Sequence, residues 1–192
     1  VSCNQVLFYN GGNSGVQEGQ ATLTGYMLFK RFNRSVSLTN PGVASQFRPS
    51  IIFRLADFYL MYAEAANEVN PNDVRVLKYL NLVRERAGLP GVETLNPAIR
   101  GNQELQRAAI QRERQVELAT EGQRYFDVRR WMIADKNGEG RQNGYAHGMN
   151  VRGEPNDIDD FNRVVEASQI VFNRKMYLYP IPQADLNTTG WV

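Results

Sequence analysis

The chain has 192 residues, of which 42% are hydrophobic and 22% are charged, and its formal net charge is +2. This length allows one sizeable domain or one part of a larger domain, and the composition is ordinary for a folded protein. Because the 22 Lys and Arg residues are spread among 20 Asp and Glu, the chain lacks the basic field that nucleic-acid binding requires. No run approaches the roughly 18 consecutive apolar residues of a membrane-spanning helix. Cys3 is the only cysteine, which excludes an internal disulfide and a CxxC site.

The first 50 residues predict loops and one short extended segment. Glycines and short polar residues cluster at positions 10–15, which favours a loop over regular structure. Residues 26–32 predict a short strand or an extended run, and residues 40–42 mark a further turn. We expect little regular structure before position 50.

A helical hairpin is predicted over about residues 52–90. Asn70-Pro71-Asn72-Asp73 separates its two helices, with Asn72 or Asp73 as the second N-cap. Gly88 and Pro90 follow in the order typical of a helix end, and the short connection favours an antiparallel pair. Apolar residues recur at helical spacing and predict buried faces made of Leu55, Tyr59, Tyr62, Ala63, Ala66, Val76, Leu77, Leu80, Val83 and Ala87.

A second hairpin is predicted over about residues 103–134, after a polar linker at 91–102. Gly122 divides its two helices. Two hairpins in series predict a mainly α fold with tetratricopeptide-like packing. The apolar positions that mark these helices are Leu105, Ala108, Ala109, Val116, Ala119, Tyr125, Val128 and Met132.

The rest of the chain, residues 135–192, is predicted to be rich in loops. Residues 135–163 are dominated by glycine, asparagine and charged residues, and a loop of this length is usually functional or disordered. Residues 170–182 predict one or two short extended segments, the last confined by its prolines to a sheet edge or to irregular chain.

Charged side chains are densest between residues 112 and 130. Carboxylates at 113, 117 and 121 share one helical face, as in a paired-acid glycosidase. Arg114 lies within reach of Glu117 for a helical ion pair, and Arg112 is predicted beside the apolar stripe between Ala109 and Val116. An arginine in that place needs a carboxylate from a neighbouring helix, because an unpaired buried charge is very costly. We therefore predict an internal ion-pair network of Arg112, Glu117, Glu121, Arg124, Asp127 and Arg130.

The sequence gives little support for a metal or cofactor site. Asp135, Asn137 and Glu139 match the first half of a calcium loop, but the twelfth position is Ala146 instead of an acid. The acids at positions 157–160 are a second set of candidate oxygen ligands. His147 is the only histidine, which makes a zinc site improbable. We expect no cofactor, with calcium as the one candidate.

Aromatic residues in irregular segments predict a ligand surface. Flat aromatic faces on rigid loops suit the binding of sugars or peptides. Phe8, Tyr9, Tyr145 and Trp191 lie in or beside such segments. The candidate ligand-binding residues are Tyr9, Asn143, Tyr145 and His147.

Four segments of the chain, taken in order and spacing, resemble the SusD/RagB family. They lie at residues 54–67, 79–90, 112–131 and 177–182, the last reading Tyr-Leu-Tyr-Pro-Ile-Pro. The first 50 residues match more loosely, through Thr24-Gly25-Tyr26 and the region of Lys30. Since family members are much longer and both chain ends resemble cuts, we expect residues 1–192 to be the C-terminal portion of a SusD/RagB-like domain.

The resemblance implies a SusD-like α–α superhelix and a lipoprotein on the outer-membrane cell surface. Such a protein would act with a SusC-type TonB-dependent transporter and capture oligosaccharide, or peptide in some members, without catalysis. Contact with the membrane would be made only through a lipid anchor on the missing N-terminus. The resemblance assigns no ligand-contacting residue to this chain.

Two other functions remain open from the sequence. One is a helical-repeat adaptor that binds protein partners. The other is a glycan-processing enzyme that uses Glu113, Glu117 and Glu121, or the acids at 157–160. The absence of a nucleotide-binding glycine loop or a recognisable triad favours binding over catalysis.

Overall fold

The computed structural model describes residues 9–11, 22, 24–26, 28, 30, 33, 51–136 and 143–190. It divides into two compact units, one of residues 47–130 and one of residues 1–46 with 131–192. We call them the helical unit and the hairpin unit. About half of the structure is helical, and no helix of the described residues is long and apolar enough to cross a membrane.

The helical unit begins with an antiparallel pair, α1 (Leu55–Val69) and α2 (Val74–Arg86). Asp73 caps α2, and its side chain accepts a hydrogen bond from the backbone N–H of Arg75 at 2.9 Å. Beyond α2, Gly88 adopts φ +77°, a left-handed conformation that suits glycine. Both helix ends therefore lie where the sequence predicts them.

The segment between the two predicted hairpins is partly helical, although its polar composition predicts a linker. It forms α3 (Val92–Leu95) and a 3₁₀ turn (Pro97–Ile99). Val92 and Ile99 are buried in the core. Asn81 of α2 holds the start of α3 in place, because its side-chain oxygen accepts a hydrogen bond from the backbone N–H of Val92 at 3.0 Å.

The last two helices of this unit are α4 (Gln103–Glu117) and α5 (Gln123–Arg130). Helix α4 packs against α1 and α2. Gly122, at φ +84°, precedes α5, as predicted for a break between helices. The resulting core consists of Leu60, Ala63, Val76, Leu80, Val83, Val92, Ile99 and Ile110.

The buried face of α4 differs from the predicted one. Val116 is 64% exposed, and Leu105, Ala108 and Ala119 also face solvent. The spacing of apolar residues indicates the wrong face of α4, because the side chains that this helix buries are largely polar. The buried side chains of the helix are Gln106, Ile110, Glu113 and Arg114.

Amide side chains join α1 to α4 near the end of α1. The Asn67 side chain donates to the backbone oxygen of Gln103 at 3.0 Å, and the Gln103 side chain donates to the backbone oxygen of Asn67 at 3.0 Å. Gln106 donates to the backbone oxygens of Pro71 and Ile99. These bonds hold the end of α1, the loop at Pro71 and the 3₁₀ turn against the first turn of α4.

A buried ion-pair triad joins three helices. Arg114 of α4 donates to Asp57 of α1 at 2.8 Å and to Asp127 of α5 at 2.9 Å. The side chain of Arg114 is only 2% exposed. Arg130 extends the set, because it contacts Asp127 at 3.0 Å and Glu64 at 2.5 Å. The relative positions of α1, α4 and α5 therefore depend on matched charges as well as on apolar packing.

The hairpin unit contains a two-stranded antiparallel sheet of β1 (Gly144–Met149) and β2 (Val164–Ile170). The register shifts between Ala146 and His147. A short helix, α6 (Ile158–Phe161), lies in the connection between the strands. A 3₁₀ turn (Arg174–Tyr177) and α7 (Gln183–Thr189) follow.

The strand β1 and helix α6 fall in the segment predicted as loop, so the loop prediction is wrong for those residues. Glycine and asparagine lower the local β-propensity. The strand forms because β2 pairs with it along its length, which local composition does not reveal.

Replacing Arg114 with Met tests the triad. The variant leaves Asp57 buried without a cation and Asp127 with Arg130 as its one remaining cation, and we expect a loss of about 3–5 kcal/mol in unfolding free energy. Arg112→Met is the matched control, since Arg112 is exposed on the same helix and should change stability by less than about 0.5 kcal/mol. Urea unfolding and thermal melting of the complete protein measure both. Equal stability of the two variants would contradict the triad's role.

Candidate functional site

The acids at positions 113, 117 and 121, in α4 and the turn after it, do not form a free carboxylate pair. Glu113 accepts from Arg84 at 2.8 Å, Glu117 accepts from Arg54 at 2.5 Å, and Glu121 accepts from the same Arg54 at 2.6 Å. A glycosidase needs one carboxyl group held protonated as the acid and a second that faces the substrate. Carboxylates bound to guanidinium groups serve neither purpose.

The Arg54 guanidinium is itself held by these acids. Burial opposes its charged form, but hydrogen bonds from Arg54 to Glu121 and Glu117 outweigh burial and raise the pKa of Arg54. Arg86 provides Glu117 with a second partner at 2.7 Å. The cluster therefore joins the beginning of α1, the end of α2 and the end of α4.

The residues of the predicted network differ in their ion pairs and in their burial. Glu117, Glu121, Asp127 and Arg130 lie in ion pairs. Arg124 is half-buried on α5.

Arg112 departs from the prediction. Its side chain is exposed, and the described part of the chain shows no ion pair for it. Two residues along a helix correspond to a rotation of about 200°, so the inward-facing arginine is Arg114. Arg114 pairs with Asp57 and Asp127 instead of the predicted Glu117. Asp57 was missed, although its spacing of three residues from Leu60 places it on the buried face of α1.

The acids at positions 157–160 are used in a turn. Asp157 caps α6 by accepting from the backbone N–H groups of Asp159 and Asp160 at 2.9 and 3.0 Å. Asp160 accepts from the Asn150 side chain at 3.0 Å and from the backbone N–H of Glu154 at 2.8 Å. These bonds explain the acidic cluster without a catalytic role.

Of the calcium candidates, only Asp135 lies among the described residues; Asn137 and Glu139 lie outside them. Asp135 accepts a hydrogen bond from the Tyr177 hydroxyl at 2.7 Å, and this bond lowers the pKa of Asp135. Within the described ranges, no group of three or more His, Cys, Asp or Glu side chains is placed to share a metal ion.

Two of the candidate ligand residues make contacts within the protein. Asn143 donates to the backbone oxygen of Asp135 at 3.2 Å and accepts from the backbone N–H of Phe172 at 3.2 Å. The Tyr9 ring meets the Phe161 ring edge-on, with their centroids 6.3 Å apart. Both residues stabilise the hairpin unit.

Tyr145 and His147 occupy a different environment, on the exposed face of β1. Tyr145 is 49% exposed and pairs across the sheet with Gln169, while His147 pairs with Glu166. Paired residues of an antiparallel sheet project from the same face. The face therefore presents one aromatic ring among three polar side chains.

A depression of about 420 Å³ opens at the end of this hairpin. Its volume falls within the range of roughly 300–1,000 Å³ that small-ligand sites occupy. Sequence reasoning missed it, because its charged residues belong to no motif and are brought together only by the strand register. The lining residues are Met149, Asn150, Val151, Arg152, Val165, Glu166 and Ala167.

Among the lining residues, Asn150 is held in position by hydrogen bonds of both its backbone and its side chain. Its backbone N–H donates to the backbone oxygens of Phe161 and Arg163 at 3.0 and 3.1 Å. Its side chain donates to Asp160, and its backbone oxygen accepts from the N–H of Gly153 at 3.1 Å. The turn that carries the lining residues is therefore rigid.

Comparison with protein families gives a match over nearly the whole chain. A model described as the SusD family matches residues 2–191. SusD-like protein P25 of Formosa agariphila is 45% identical over 83 residues, which cover 43% of this chain and 15% of that protein. SusD-like protein P2 of the same organism is 34% identical over 88 residues, which cover 45% of this chain and 17% of that protein.

Solved structures show the same likeness. The selenomethionine form of BT4246 superimposes with a TM-score of 0.63 at 31% identity, over 76% of this chain and 24% of that one. A second BT4246 structure gives a TM-score of 0.61 at the same identity. The predicted fold class, mainly α with tetratricopeptide-like hairpins, is confirmed by the helices and by this likeness. The chain spans less than a quarter of the length of each curated relative described above.

Replacing Tyr177 with Phe tests the hydrogen bond at Asp135. Because the folded-state pKa of Asp135 is lowered, its contribution to stability is present above the unfolded pKa of about 3.9. That contribution is lost as pH falls through the lowered folded-state value. We expect Tyr177→Phe to lower the melting temperature at neutral pH and to approach the wild type under acid conditions.

Tyr145→Phe is the matched control for this variant, since Tyr145 is exposed. An NMR titration should show a higher Asp135 pKa in Tyr177→Phe and an unchanged one in Tyr145→Phe. The same Asp135 pKa in all three proteins would contradict the assignment.

Proposed function

The chain belongs to the SusD family, and from this premise we propose that the complete protein is a non-catalytic, nutrient-binding lipoprotein of the outer-membrane cell surface. It captures oligosaccharide for import and works with a SusC-type TonB-dependent transporter. The observation that carries the proposal is the family match over residues 2–191. Because the chain spans only part of its relatives, the activity described is that of the complete protein.

The geometry of the helical unit supports binding over catalysis. Its acids are held by arginines at hydrogen-bonding distance, as with Glu113 and Arg84. Such pairs fix neighbouring helices in position. The helices therefore serve as a scaffold, and ligand recognition is assigned to the hairpin unit and to parts of the complete protein outside this chain.

The exposed face of β1 supplies suitable chemistry for a sugar. Tyr145 offers an aromatic ring to the apolar C–H face of a pyranose, and aromatic residues bury much area with few rotatable bonds. His147 and Glu166 lie directly across from each other and provide hydrogen-bonding groups beside that ring. We assign no cofactor to this binding.

Affinity electrophoresis of the complete protein against a panel of depolymerised polysaccharides tests the proposal. We expect retardation by at least one glycan. Tyr145→Ala and His147→Ala should each weaken binding by about 2- to 10-fold, the loss associated with one aromatic or polar contact. Leu178→Ala is the matched control, since Leu178 is exposed in the same unit. Failure of every glycan to retard the wild-type protein would refute the proposal.

Catalysis is tested separately by incubating the pure complete protein with the same glycans and measuring reducing ends. We expect none to be released. Glu117→Ala should lower the melting temperature, because Arg54 and Arg86 lose a shared partner. Release of reducing ends that Glu117→Ala abolishes without loss of stability would establish an enzyme instead.

A further inference from the structure

The depression at the end of the β1–β2 hairpin combines apolar lining residues with polar groups of opposite character. Arg152 can only donate hydrogen bonds, and Glu166 in its ionised form can only accept them. Asn150 adds an amide oxygen, since its NH₂ group is used by Asp160. The apolar part of the lining consists of Met149, Val151, Val165 and Ala167.

Arg152 and Glu166 are available to a ligand. Within the described residues neither makes an ion pair or a side-chain hydrogen bond. Their charged neighbours are engaged, since Arg163 pairs with Asp160 at 3.1 Å. The two charged residues therefore line the depression and remain exposed to solvent.

This combination selects a neutral, hydroxyl-rich ligand. An anionic ligand would be attracted by Arg152 but repelled by Glu166, and a cationic one would meet the reverse, so the two opposite charges favour neither. Each sugar hydroxyl both donates and accepts, so neighbouring hydroxyls can bond to the carboxylate and to the guanidinium together. The C–H face of the ring would lie against apolar lining residues of the depression.

We propose that this depression is a subsite for one neutral sugar ring of the bound oligosaccharide, an inference that rests on the function proposed above. The subsite is preorganised. A Cβ atom at Gly153 would lie 2.1 Å from a carboxylate oxygen of Asp160, so the turn beside Asn150 packs too closely for a larger residue. A rigid site loses little conformational entropy when a ligand binds.

Calorimetric titration of the complete protein with neutral gluco-, manno-, xylo- and galacto-oligosaccharides tests the subsite. Arg152→Ala and Glu166→Gln should each weaken binding about tenfold or more, as expected when a charged hydrogen-bonding partner is lost. Arg174→Ala and Glu154→Gln are charge-matched controls outside the depression and should bind like the wild type. Melting temperatures verify that all four variants fold.

The outcomes separate the subsite from the overall function. If the wild type binds an oligosaccharide and Arg152→Ala and Glu166→Gln bind it equally well, the subsite is refuted while the proposed function stands. Absence of oligosaccharide binding by the wild type refutes both. Short neutral peptides form a parallel series, and loss of peptide binding alone in the two variants would overturn the assignment to sugar.

Discussion

The helical unit depends on one buried arginine. Arg114 lies between Asp57 and Asp127, and all three side chains are at most 6% exposed. Removing charges from water is costly, and pairing offsets that cost only when the hydrogen-bond geometry is good. The arrangement therefore favours the single register of α1, α4 and α5 in which the three groups meet. Arg130 contacts Asp127 from the other side and partly balances the excess negative charge.

Ion pairs of the same kind also hold the other acids of this region. Glu113 and Glu117 of α4 are bound by arginines of α2 and by Arg54, which precedes α1. An active-site pair needs carboxyl groups that face a substrate with separated pKa values. The available polar groups lie elsewhere, at Arg152 and Glu166 of the hairpin unit. The charged helices and the proposed ligand surface thus lie in different parts of the chain.

The parts of the fold that local chemistry determines could be predicted from the sequence. The sequence predicts Asn72 or Asp73 as the N-cap of α2, and Asp73 has that role; Gly88 follows the helix as predicted, because caps depend on a few neighbouring residues. The buried face of α4 could not be predicted in this way, since Arg114 is as polar as the exposed Arg112. Their difference arises only from partners distant in sequence, such as Asp57.

In the hairpin unit, local sequence predicts even less of the structure. Local composition predicts a loop at Tyr145 and His147, yet both lie in a strand that pairs with residues about twenty positions later. That pairing also brings Arg152 and Glu166 to one depression, which no motif signals. Candidate ligand residues chosen by type alone therefore mixed exposed side chains with internal contacts such as those of Asn143.

The most direct measurement of the central claim is a double-mutant cycle between Arg114 and Asp127 in the complete protein. Unfolding free energies of Arg114→Met, Asp127→Asn and the double variant give the coupling between the two side chains. Because they are in direct contact and buried, we expect a coupling of about 1–3 kcal/mol, with oligosaccharide affinity unchanged in every variant that remains folded. Additive losses of stability, or a loss of affinity in a fully folded variant, would contradict the assignment of the charged helices to a purely structural role.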